Sequence, residues 1–149
     1  MKRNKKKLII YIVISVAIMA FIFIQSALTA DLSLQQSDGI VKWLATLFHA
    51  DVATLSFIVR KCAHFLEYLL LGISLLLTTR ELFLLNLRKS GIIAFAFGFF
   101  YAVTDELHQI LVEGRSGEVR DVLIDGAGVL LGVLITCIIC YLRNCKRRG

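Results

Sequence analysis

The sequence predicts an all-α integral membrane bundle of four transmembrane helices, with a short interfacial amphipathic helix in the first outer loop. Three observations carry this. Four apolar segments have the length of a membrane span, basic residues gather at their ends, and the ionisable residues inside them fall at one depth. Of the 149 residues, 58% are hydrophobic, and the mean hydropathy is +0.77. That is too apolar for an ordinary soluble domain of this length. The whole chain, residues 1–149, reads as a single transmembrane domain.

The segments are Leu8–Ile24, Ser56–Thr79, Gly91–Ile110 and Val122–Leu142. Each is close to the roughly 20 residues needed to cross about 30 Å of hydrocarbon. Backbone amides have no water to bond there, so each segment must satisfy its own as a helix. The first segment follows Lys2, Arg3, Lys5, Lys6 and Lys7, as a signal peptide would. It is longer than a usual signal core and no convincing small-x-small cleavage site follows, so it reads as a retained span.

The loop after it, about residues 25–55, carries Asp31, Asp38 and Asp51 against Lys42. Within it Ile40, Val41, Trp43, Leu44, Leu47 and Phe48 recur at helical spacing, with Lys42, Thr46 and His49 off that face. This pattern suits a short helix lying at the interface, anchored by Trp43. Packing on the bundle would suit it equally. Asp51 is placed to cap the second span.

Charge gives the threading. Net charge is +6, but the cations cluster at segment ends: the amino terminus, Arg80 with Arg88 and Lys89, and Arg143 with Lys146, Arg147 and Arg148. Positive ends belong inside the cell, which puts both termini in the cytoplasm and the acidic loop outside. With the charge so explained, no nucleic-acid partner is expected. The four cysteines form no framework. Cys137-x-x-Cys140 lies at lipid depth and reads as small apolar packing, while Cys62 sits alone on the second span. The chain has no proline, so the proline-broken helices of transporters are not indicated.

Rise per residue then places the polar groups. Counted from Arg80 at about 1.5 Å per residue, Arg60 and Lys61 lie about 28–30 Å away at the outer boundary. His64 is roughly 6 Å and Glu67 roughly 10 Å below that boundary. Asp105, Glu106 and His108 reach the same level near the end of the third span, and Asp121 and Asp125 at the start of the fourth. Membrane charge is costly unless paired or wetted, so a layer of it marks a functional site. Helical facing agrees: Arg60, His64, Glu67 and Leu71 share one stripe, Tyr101, Asp105, His108 and Gln109 a second, and Asp121, Asp125, Gly128 and Gly132 a third. Small residues below the polar ones predict helices that pack closely in the inner leaflet and open outward.

These residues resemble a known family. Arg60-Lys61-Cys62-Ala63-His64-Phe65-x-Glu67-Tyr68, followed by Gly72, is similar to the first charged segment of VanZ-like membrane proteins. Asp105-Glu106-Leu107-His108-Gln109, then Gly114-Arg115, Asp121, Asp125 and Gly126-Ala127-Gly128, resembles the second. Gln25-Ser26 and the loop serines resemble a weaker amino-terminal pattern. Two departures stand out: Glu113 occupies a place where proline is common, and Asp125 one where asparagine is common. The resemblance implies a bacterial inner-membrane protein of the type whose namesake gives low-level teicoplanin resistance.

The expected ligand-binding set is Arg60, Lys61, His64, Glu67, Tyr68, Asp105, Glu106, His108, Gln109, Arg115, Asp121 and Asp125. Its cations suit an anionic envelope ligand, and its carboxylates suit amine and amide groups. The candidate partners are a membrane lipid, a cell-wall precursor or a glycopeptide. An alternative is a membrane-embedded hydrolase or transferase with catalytic candidates His64, Glu67, Asp105 and His108. No cofactor is expected. The alternative is a divalent metal at His64, Glu67, Asp105 and His108, since each pair puts an imidazole and a carboxylate on one helical face.

Overall fold

The computed structural model describes residues 4–27, 39, 41–47, 49, 51–112 and 117–146. Every regular element among them is α-helical. Four long helices are present: α1 Lys5–Ala27, α2 Val52–Phe83, α3 Leu87–Gln109 and α4 Val119–Lys146. Each contains a stretch long and apolar enough to cross a membrane.

The helices outrun the apolar segments because their caps lie in the polar flanks. Asp51 accepts a 2.9 Å hydrogen bond from the Thr54 amide and so caps α2 one turn before the apolar stretch, as the sequence predicts. This amide, and the Thr54 hydroxyl with it, holds the Asp51 carboxyl below the usual aspartate range. Asn86 caps α3 in the same way, accepting from the Lys89 amide at 3.0 Å. Between these helices Leu84 turns the chain in the left-handed region, at φ 52°. Residues 41–47 form a short helix with Val41 buried and Trp43 and Leu47 exposed. Ile40 and Phe48, also assigned to its apolar face, lie outside the described residues.

α2 is the central element, packed against α1, α3 and α4. Its approach to α4 is the closest, and small residues permit it. A Cβ at Gly128 would meet the Phe65 carbonyl oxygen at 2.5 Å. At Gly132 it would run into the Leu69 carbonyl, and at Gly72 into that of Val129. The core comprises Tyr68, Leu71, Leu75 and Leu76 of α2, Ile22, Ala94, Ala102, Val129 and Val133. Outward-facing Ile10, Val13, Phe97, Phe100 and Ile138 are exposed, as lipid-facing residues would be.

The end of the bundle holding the α2–α3 turn is fixed by ordinary polar contacts. The Ser15 and Thr78 hydroxyls are 3.1 Å apart, and the Thr79 hydroxyl donates to the Ser90 carbonyl at 3.2 Å. Cys62, Cys137 and Cys140 are free thiols. The polar layer lies at the opposite end.

Candidate functional site

Alternating chain direction brings four helix ends together: the last turn of α1, the first third of α2, the last turns of α3 and the first turns of α4. Each sends polar side chains to that end. They enclose a cavity of about 100 Å³. Arg60, Lys61 and His64 of α2 line it with Phe57. α3 supplies Glu106 and Gln109, and the start of α4 supplies Asp121, Ile124 and Asp125, with Glu118 just before the helix.

The cavity has a hydrogen-bonded wall. Gln109 donates to Glu106 Oε1 at 3.0 Å and to Asp105 Oδ2 at 3.2 Å. The Ser26 hydroxyl reaches the same Asp105 oxygen from α1 at 2.7 Å. The Glu118 amide donates to Glu106 Oε2 at 3.1 Å, which fastens the approach to α4 onto the end of α3. Lys61 bonds Asp121 and lies over the Phe57 ring, 5.2 Å from its centroid. Arg120 also lies over that ring, 5.7 Å from its centroid. Phe57 thus gives the rim an aromatic body in contact with two cations.

The remaining residues take different positions. Asp105 is 3% and Asp125 2% exposed, with Asp105 beside the cavity and Asp125 in its lining. Tyr68 is fully buried beneath them and faces Tyr101, with ring centroids 6.3 Å apart. Tyr101 in turn donates to the Met19 carbonyl at 2.7 Å, tying α3 to α1. His108 stacks on Phe23 of α1, with centroids 4.6 Å apart, and Glu67 is half-buried; neither lines the cavity. Arg115 lies outside the described residues.

Among the described residues one compact donor group is present. Potential ligand atoms of His64, Asp105 and Asp125 all lie within 4.8 Å of one another. It keeps His64 and Asp105 of the sequence-expected metal set and has Asp125 where that set had Glu67 and His108. The three come from three helices, so no spacing within one segment reveals the group. Ser26, Phe57 and Glu118 were not among the expected site residues. Ser26 and Glu118 are polar residues at helix ends at the same depth, a sequence signal that could have found them, and Ser26 also falls in the weak Gln25-Ser26 resemblance.

The arrangement is rich in carboxylates. Among the described residues, Glu67, Asp105, Glu106, Asp121 and Asp125 stand with Arg60 and Lys61 at this level; Lys61 is engaged with Asp121 and, at the rim, Arg120 with Glu118. Such a pocket can receive a polar group carrying positive charge or N–H donors, with Arg60 available at the rim for an anion. Residues 9–140 match the family model described as VanZ/LLP1. No curated protein and no solved structure matches the chain.

Proposed function

The chain belongs to the VanZ/LLP1 family, and from that premise we propose that this membrane protein binds the polar head of a cell-envelope lipid or lipid-linked cell-wall precursor. Binding would contribute to teicoplanin-type glycopeptide resistance. The observation that carries the reading is the cavity formed by Arg60, Lys61, His64, Glu106, Asp121 and Asp125. At about 100 Å³ it suits a headgroup or a single charged substituent. It is too small to enclose a glycopeptide, whose part in the phenotype would then be indirect. Arg60 would meet a phosphate or carboxylate, while Glu106 and Asp125 would meet amine or amide donors.

The location belongs to the same proposal. The basic segment ends support an inner-membrane protein with both termini in the cytoplasm. The cavity then opens toward the compartment where precursors and glycopeptides meet. Trp43 and Leu47, exposed on the short helix, suit contact with the interface on that side.

The test is susceptibility to teicoplanin and vancomycin in a sensitive bacterium expressing the wild-type chain, Asp105→Asn or nothing, at matched membrane levels. A teicoplanin-selective rise that disappears with Asp105→Asn supports the reading. No rise with the wild type overturns the resistance role. The alternative, a hydrolase or transferase, draws on His64 beside two carboxylates. His64→Gln abolishes function in an enzyme and only weakens a binder. Retained function in both His64→Gln and Asp105→Asn excludes the enzyme.

A further inference from the structure

We propose that His64, Asp105 and Asp125 form a binding site for one divalent first-row transition ion, zinc above all. The three side chains come from α2, α3 and α4, and their donor atoms lie within 4.8 Å of one another. Donors around a four-coordinate zinc at about 2.0–2.1 Å stand about 3.4 Å apart. The group therefore needs only a modest inward movement of side chains to close on an ion.

Two further observations point to a ligand. Asp125 is 2% exposed, and its Oδ2 has no hydrogen-bond partner among the described residues. Asp105 is 3% exposed, and its Oδ1 likewise lacks a partner of good hydrogen-bond geometry among them, with the Tyr68 hydroxyl beside that carboxylate. The other Asp105 oxygen is held by Ser26 and Gln109. Such outer contacts orient a metal-binding carboxylate and leave its second oxygen to the ion.

Charge favours the same occupant. Two buried carboxylates side by side repel, and each is costly to bury alone. Of the two cations that line the cavity, Lys61 is bonded to Asp121 and Arg60 stands one helical turn nearer the rim than His64. A dication among the three donors offsets both carboxylates at once. One imidazole with two carboxylates and no thiolate suits zinc or manganese better than copper(I). His64 and Asp125 both line the cavity, which supplies an entry path. Three protein donors leave a four-coordinate ion at least one open position.

The site shares the cavity of the proposed function but does not depend on which ligand that cavity takes, because metal content is read without lipid or drug. The experiment uses the full chain purified in detergent, stripped with chelator and titrated with zinc, manganese or magnesium. Bound metal is measured by mass spectrometry and calorimetry. One zinc per chain is expected, with manganese weaker and magnesium weakest. His64→Gln and Asp125→Asn should each weaken zinc by at least about 100-fold. Glu81→Gln, at the opposite end of the bundle, should retain one ion.

Circular dichroism and gel filtration show whether each variant is folded. Should a variant fail to fold, cobalt(II) added to the wild-type chain gives an independent reading. A visible absorption band that zinc displaces supports the site. Absence of zinc binding and of the cobalt band in the wild type overturns it. So does zinc binding that survives in both folded variants, since the ion then sits elsewhere.

Discussion

Ser26 lies 79 positions before Asp105, yet its hydroxyl donates to that carboxylate at 2.7 Å. It is fully buried, so no water can take over the bond. Ser26→Ala would leave Asp105 with Gln109 as the remaining donor to Oδ2. The loss of a buried hydrogen bond to a carboxylate costs about 1–3 kcal/mol. A lower thermal unfolding midpoint in detergent is expected, and the same change in an Asp105→Asn background should be smaller. Equal effects in the two backgrounds would mean that Ser26 acts through packing alone. Asp105 belongs to the charged motif, but its partner on α1 is a common small residue near the end of an apolar run. Apart from the weak Gln25-Ser26 resemblance, nothing local distinguishes Ser26 from Ser15, which bonds Tyr11 and Thr78 at the opposite end.

At the scale of elements, the α2–α4 contact is where sequence pattern and packing meet. Gly128-x-x-x-Gly132 is common spacing in membrane helices and has little specificity alone. Here both glycines lie against backbone carbonyls of α2, those of Phe65 and Leu69. Backbone cannot rotate away as a side chain can, so a larger residue forces the helices apart. Gly132→Leu should destabilise the bundle by about 1–3 kcal/mol or more, read as a lower unfolding midpoint. Leu131→Ala, on an exposed face of α4, provides the contrast and should have little effect. Comparable losses at both positions would show that the close approach is not what the glycine secures. Because α4 also carries Asp121 and Asp125, separating α2 from α4 should loosen the cavity wall as well.

For the whole molecule, the proposed orientation makes a direct prediction. A fluorescent protein fused to the carboxy terminus should fold and fluoresce, whereas alkaline phosphatase fused there should be inactive. The reverse pattern would place the cavity on the cytoplasmic side and remove the reason for linking it to extracellular precursors. The basic residues at the ends of α1 and α4 make this arrangement electrostatically consistent. Opposite packing demands also explain the division of the bundle. Close glycine contacts hold its middle, while polar side chains line the cavity at one end.

The sequence by itself determined the number of helices, their approximate limits, the Asp51 cap and the common level of the charged groups. These are local matters: bilayer thickness sets segment length, and a fixed rise per residue sets depth. The tertiary structure alone decided how each helix is rotated and which neighbour it meets. His108 shares a helical stripe with Asp105, yet it stacks on Phe23, while Glu106 takes the cavity wall. Asp125 rather than Glu67 joins His64 and Asp105. The physical reason is that a helix in lipid can turn about its axis without changing its depth. Packing against its neighbours chooses the turn, and that choice depends on residues far apart in the chain.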